Sequence, residues 1–171
     1  FLMKRTITLL SAVALTGLLL TACSSNEATK TSSAPEVTET SSSSTEQTSF
    51  KIGDTLTFDG EANITITGVS YTDERNEFAE VDPLKVIVVS YNVENLSDKD
   101  YVIGSEISLY VNGKKMESYP VATTLDTISA GRTFEGASQA FAITEEGEYE
   151  LEVVPSLSFT AKPAIVPFTI E

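Results

Sequence analysis

The stretch Leu84-Lys85-Val86-Ile87-Val88-Val89-Ser90-Tyr91-Asn92-Val93 decides the fold. It opens after Asp82-Pro83 and ends at Glu94-Asn95. β-branched residues crowd its first half, and both faces are apolar there. A strand wet on one face alternates apolar with polar side chains. One that is apolar on both faces is a central strand covered on each side.

Outward from it, the chain repeats shorter strand signals. Thr55 to Phe58 alternates after Gly53-Asp54, and Ile64 to Tyr71 alternates through Gly68. Ile107 to Val111 runs into Asn112-Gly113, with Lys114-Lys115-Met116 beyond. Asn-Gly between two such runs marks a hairpin, because both residues tolerate positive φ. Further strands are expected over Thr124 to Ile128, Phe134 to Ile143, Glu148 to Val153 and Ile165 to Ile170. Pro167 lacks an N–H and suits an edge strand. Asp73 to Glu80 reads as a loop. Eight or nine short strands without a helix predict an all-β fold, an antiparallel immunoglobulin-like β-sandwich, over residues 50–171.

The preceding residues read differently. Lys4 and Arg5 precede an apolar run from Ile7 to Leu20, which is too short for a comfortable membrane span. Such a start describes a secretory signal over residues 1–22, with Met3 as its expected first residue. Residues 24–49 hold nine serines, six threonines and four glutamates. With so little apolar area to offset chain entropy, the tether over residues 23–49 is expected to be disordered.

Composition excludes several functions. The net charge is −14, and 21 acids against 8 bases fall within residues 50–171. That balance argues against nucleic acid and against anionic lipid headgroups. One cysteine and no histidine rule out an intrachain disulfide, a Cys/His zinc site and any nucleophile that needs a histidine base. No cofactor is expected.

Leu20-Thr21-Ala22-Cys23 resembles the lipobox of bacterial lipoproteins: an aliphatic residue, two small ones, then cysteine. The resemblance implies diacylglycerol on the Cys23 thiol, cleavage between Ala22 and Cys23, and anchorage on the extracellular face of the cell membrane. Two acyl chains hold a protein firmly where one does not. Gly53-Asp54, Val69-Ser70-Tyr71, Val89 to Asn95, Val111-Asn112-Gly113-Lys114 and Ser129-Ala130-Gly131 with Phe141 beyond occur in that order. They resemble the domain-of-unknown-function families of Gram-positive surface lipoproteins, of the immunoglobulin-like, immunoprotective-extracellular-antigen type. That resemblance speaks to fold and carries over no catalytic or ligand residue.

Candidate chemistry is sparse. Asp73, Glu74, Glu77, Glu80 and Asp82 form an oxygen-rich stretch, but EF-hand spacing and its glycine are missing and Arg75 intervenes. A solvated loop is the plainer reading, and a calcium site the sharper one. Asp98-Lys99-Asp100 reads as a surface turn. Glu148, Glu150 and Glu152 fall on the outward face of an alternating strand, where charge discourages edge pairing. Most of the six tyrosines are expected to pack. Tyr101, Tyr119 and Phe78, near turns, are the expected exposed binding aromatics. The expected function is therefore a non-catalytic surface module for a protein, peptide or glycan. The alternative is a carboxylate-based cell-wall hydrolase or a calcium-dependent module. Replacing Cys23 by Ala should abolish lipid labelling and release the protein or leave it unprocessed. The far-ultraviolet circular dichroism of the domain should not change.

Overall fold

The computed structural model describes residues 29–31 and 50–170. The expected signal segment, Ala22, Cys23 and most of the expected tether lie outside the described residues. Twelve strands follow in order: β1 (Thr29–Thr31), β2 (Thr55–Phe58), β3 (Ala62–Thr72), β4 (Lys85–Asn95), β5 (Tyr101–Ile103) and β6 (Ile107–Val111), then β7 (Lys114–Lys115), β8 (Glu117–Ser118), β9 (Asp126–Ile128), β10 (Thr133–Ile143), β11 (Tyr149–Val153) and β12 (Ala164–Phe168). A six-stranded sheet runs β1-β2-β3-β4-β10-β8, a four-stranded sheet β12-β11-β6-β7, and β5 pairs with β9. All pairings are antiparallel. The domain is a β-sandwich, as the alternation predicts.

The core follows from period two. Ile87, Val89, Tyr91 and Val93 of β4 point inward and are fully buried. They join Ile64 and Ile66 of β3, Phe141 and Ile143 of β10, Leu109 of β6 and Leu151 of β11 in one cluster. Full burial of each such side chain contributes roughly 1.5–3 kcal/mol. Chain crossing between sheets occurs at Met116, which is buried and separates β7 from β8. Asn112 and Gly113 both take positive φ, 51° and 78°, as the predicted hairpin turn requires.

The outer face of β4 is covered, but by loops. Val86, Ala140, Ala142 and Tyr119 form a second cluster, packed against Ala79, Val81, Val88 and Val121. The acidic loop supplies Ala79 and Val81. It is fastened where the Asn76 N–H donates to the Tyr119 hydroxyl (3.0 Å) and the Asn76 amide donates to the Pro120 carbonyl (3.0 Å).

Residues 24–49 contain β1, whose Thr29, Lys30 and Thr31 pair with Thr57, Leu56 and Thr55. β-branched threonine favours extended backbone, and the edge of β2 offers unpaired ladder groups that a strand satisfies.

A buried polar clasp ties the three sheets together. Glu106 is fully buried between β5 and β6. Its Oε2 accepts from the Tyr91 hydroxyl (2.8 Å) and the Gly104 N–H (2.9 Å). Its Oε1 is buried without a hydrogen-bonding partner among the described residues. The Gln139 amide of β10 donates to the Gly104 carbonyl (3.0 Å) and accepts from the Ile107 N–H (3.1 Å). Burial, and then the charge of Glu106, push the Tyr91 and Tyr101 hydroxyls above the ordinary tyrosine range.

The consequence is alkaline instability. In the unfolded chain both tyrosines ionise near pH ~10, while in the fold they stay neutral. Their contribution is complete below that pH and is lost as pH rises above it. The denaturant midpoint should therefore fall above pH ~10, and two tyrosines should ionise only as the protein unfolds. Tyrosinate absorbance followed with circular dichroism tests this. Complete ionisation of all six tyrosines with the fold intact would refute it.

Candidate functional site

One end of the sandwich carries an open cleft of about 740 Å³. Phe50, 4% exposed, enters the core just before β2 and sets Lys51 at the rim. A tight turn fixes this corner, with the Lys51 N–H donating to the Asp54 carboxylate (2.9 Å). Gly113 and Asn112 form a second wall, Glu148 and Glu150 a third, and Pro167, Phe168 and Ile170 a fourth.

The hairpin turn is clamped to the neighbouring loop. The Asn112 side chain accepts from the Glu148 N–H (3.0 Å) and donates to the Glu146 carbonyl (3.2 Å). The Asn112 backbone N–H adds a bond to the Glu148 carbonyl (3.0 Å). A Cβ on Gly147 would run into the Asn112 amide, so the clamp requires glycine there. These bonds hold the β6–β7 turn against the start of β11 and keep the cleft wall in place.

Aromatic rings line the opposite side. Tyr149 and Phe168 are cross-strand partners, and their rings stack with centroids 5.5 Å apart and planes 24° from parallel. The Tyr149 hydroxyl donates to Glu146 (3.1 Å), and Glu146 bridges to Lys85 (2.8 Å). The Lys85 ammonium also stands over the Tyr71 ring, 5.0 Å from its centroid. Bonds from Lys85 and Tyr149 hold the Glu146 carboxyl below its ordinary range, and the bond to Glu146 raises Lys85. Burial, then the Tyr71 hydroxyl and Glu146, push the Tyr149 hydroxyl up. Tyr149 therefore stays neutral and oriented, with its ring fixed beside the cleft.

This arrangement suits binding. A stacked aromatic pair offers apolar and π-face contact, and the rim offers an ammonium, an amide and carboxylates. The sequence-predicted positions lie elsewhere. Asp73, Glu74, Glu77, Glu80 and Asp82 spread along the outer-face loop. Among the described residues no group of three or more acidic side chains could hold a metal ion. Phe78 is 86% exposed on that loop. Tyr101 and Tyr119 are not exposed: they are 6% and 3% accessible. The Tyr101 hydroxyl accepts from the Ser156 N–H (2.8 Å), and Tyr119 fastens the acidic loop, so each is consumed by packing. Sequence reasoning missed Phe50, Phe168 and Tyr149 as cleft residues. The signal available was the Asn112-Gly113 turn, but nothing in the sequence showed that it lies beside Gly147.

No protein-family model matches the chain, and no curated protein matches it. Solved structures do. A candidate lipoprotein, ycdA of Bacillus subtilis, is 25% identical over 66% of this chain, with a TM-score of 0.51. The match takes in only 37% of that protein, so the chain spans little more than a third of its length. The yjhA protein of Bacillus subtilis is 14% identical, with a TM-score of 0.54, over 70% of this chain and 98% of the other. An uncharacterized β-sandwich protein of Clostridium difficile 630 is 14% identical, with a TM-score of 0.48, over 77% of this chain and all of the other. The described domain is thus a β-sandwich similar to one found in a candidate bacterial lipoprotein.

Proposed function

We propose that the chain is a surface lipoprotein, cut between Ala22 and Cys23 and held by diacylglycerol on Cys23 at the extracellular face of the cell membrane. Its β-sandwich is a non-catalytic binding module of the immunoprotective-antigen type, and it needs no cofactor. The end cleft is the binding site, and its ligand is a segment of a surface protein, a peptide or a glycan. The observation that carries this reading is the cleft itself. It is a preformed slot in which two stacked rings face a polar rim, and such slots orient a ligand by a few fixed polar groups around an apolar contact. The lipobox and the likeness to a candidate lipoprotein support the anchor. The absence of histidine and of a second cysteine from the sequence supports binding over catalysis.

The test uses the Cys23→Ala chain in calorimetric titrations against cell-wall glycan fragments and envelope-derived peptides. A ligand that binds saturably should lose tenfold or more in affinity on Phe168→Ala, equivalent to about 1.4 kcal/mol. Lys51→Ala should weaken it less. A saturable ligand indifferent to both substitutions would move the site away from the cleft. Turnover of any glycan would overthrow the non-catalytic reading.

A further inference from the structure

The two ends of the sandwich differ, and β1 gives the difference a direction. β2 runs from the cleft end, beside Phe50, toward the turn at Asp59-Gly60-Glu61. Its antiparallel partner β1 runs the other way, with Thr29 opposite Thr57 and Thr31 opposite Thr55. The chain before Thr29 is therefore aimed at the end away from the cleft. Only residues 24–28 separate Cys23 from Thr29. Six Cα-to-Cα steps reach at most about 20 Å. A wholly free tether from residue 24 to 49 would have an r.m.s. span of about 28 Å and reach about 90 Å.

That same end presents large apolar side chains to solvent. Phe159 is 96% exposed and Leu157 71%, both on the β11–β12 loop. The loop carrying them is not loose. The Ser105 and Ser156 hydroxyls bond at 2.6 Å, Thr160 donates to Glu61 (3.5 Å), and the Leu96 N–H donates to the Glu61 carbonyl (3.1 Å). The exposed Phe78 and Leu84 at the cleft end sit in the loop with Asp73, Glu74, Glu77, Glu80 and Asp82, which disfavours burial in lipid.

We propose that β1 holds the domain close to the bilayer and that the loop carrying Leu157 and Phe159 dips into its interfacial zone. The domain thereby stands with its cleft facing away from the membrane. This rests on the lipid-anchor reading of Cys23. An aromatic and a leucine on a fastened loop suit the headgroup–acyl boundary, where apolar area is buried while the surrounding backbone stays wet. The same end carries Asp59, Glu61, Asp98 and Asp100 against Lys99, Arg132 and Lys162, a near balance of charge that suits neutral headgroups.

The chain has no tryptophan, so a single introduced indole reports one site. Phe159→Trp and, separately, Phe78→Trp are placed in the full lipidated chain. Each protein is reconstituted into phosphatidylcholine vesicles with brominated acyl chains. Emission from Phe159→Trp should shift to the blue and be quenched several-fold more than that from Phe78→Trp. Lys30→Pro removes a donor from β1 and lengthens the free tether, and it should shrink that difference. Equal quenching at both sites, or stronger quenching of Phe78→Trp, would overturn the docking. An undiminished difference in the Lys30→Pro protein would overturn the role of β1. Mass measurement on the same preparation separates the two readings. An unmodified Cys23 defeats the anchor and the docking together, whereas a lipidated Cys23 with an unquenched Phe159→Trp defeats the docking alone.

Discussion

A carboxyl group that is wholly withdrawn from water organises this sandwich. Glu106 costs free energy where it stands, because a buried carboxyl must replace its hydration with fixed donors. Tyr91 and Gly104 supply two, both to the same oxygen. Tyr91 belongs to the middle of the six-stranded sheet, and Glu106 leads into the first strand of the four-stranded one. The bond between them therefore spans the core. A one-residue slip of β4 would send Tyr91 to the outer face and strand Glu106. Register in both sheets is thus coupled through one hydrogen bond, and Gln139 extends the coupling to β10. Clusters of this kind specify one arrangement more than they stabilise it.

The fold was legible because its longer strands obey period two under one dominant constraint, burial of one face. Thr55–Phe58, Lys85–Asn95, Ile107–Val111 and Tyr149–Val153 alternate or run apolar, and each forms close to where the pattern puts it. Tyr101–Ile103 and Glu117–Ser118 escaped detection, since two or three residues hold no period. β1 was hidden by composition. A Ser/Thr-rich run looks unstructured by its own content, and only the partner edge at β2 makes Thr29–Thr31 a strand. Tyr101 and Tyr119 misled for a related reason. Proximity to turns suggests exposure, but a hydroxyl that caps a distant backbone N–H lets the ring sit inside. Glu106 was invisible, because nothing local distinguishes a glutamate that long-range partners will bury. The cleft was the least legible feature, since Phe50, Asn112, Tyr149 and Phe168 meet only through tertiary pairing.

The acidic loop shows how one sequence feature can carry two meanings. Its carboxylates suggested an oxygen-rich site. In the structure its apolar members, Ala79 and Val81, cover Val86 and Ala142 on the outer face of the sheet. The charges are what remains facing solvent once those residues have packed. The loop is thus the second layer that a strand apolar on both faces demands. The same logic explains β11, where Leu151 and Val153 are fully buried while Glu150 and Glu152 flank Tyr110 on the outward face. Their charges, after burial, push the Tyr110 hydroxyl up.

Antiparallel pairing alone separates the two proposed working ends. Hairpins return the chain to the cleft end at the β3–β4, β6–β7 and β10–β11 connections, and to the opposite end at β2–β3 and β11–β12. A tether entering at Phe50 would draw the membrane toward the cleft. Pairing β1 along β2 reverses that polarity at the cost of ordering three residues. Edge pairing also covers the ladder groups of β2, which would otherwise invite another chain. Pro167 serves the opposite edge differently, by withholding a donor from β12 beside the cleft. The two larger sheets still end in short strands, β1 and β8 in one and β12 and β7 in the other, whereas the stacked pair of Tyr149 and Phe168 lies at an end of the sandwich, where side chains rather than ladder groups are presented.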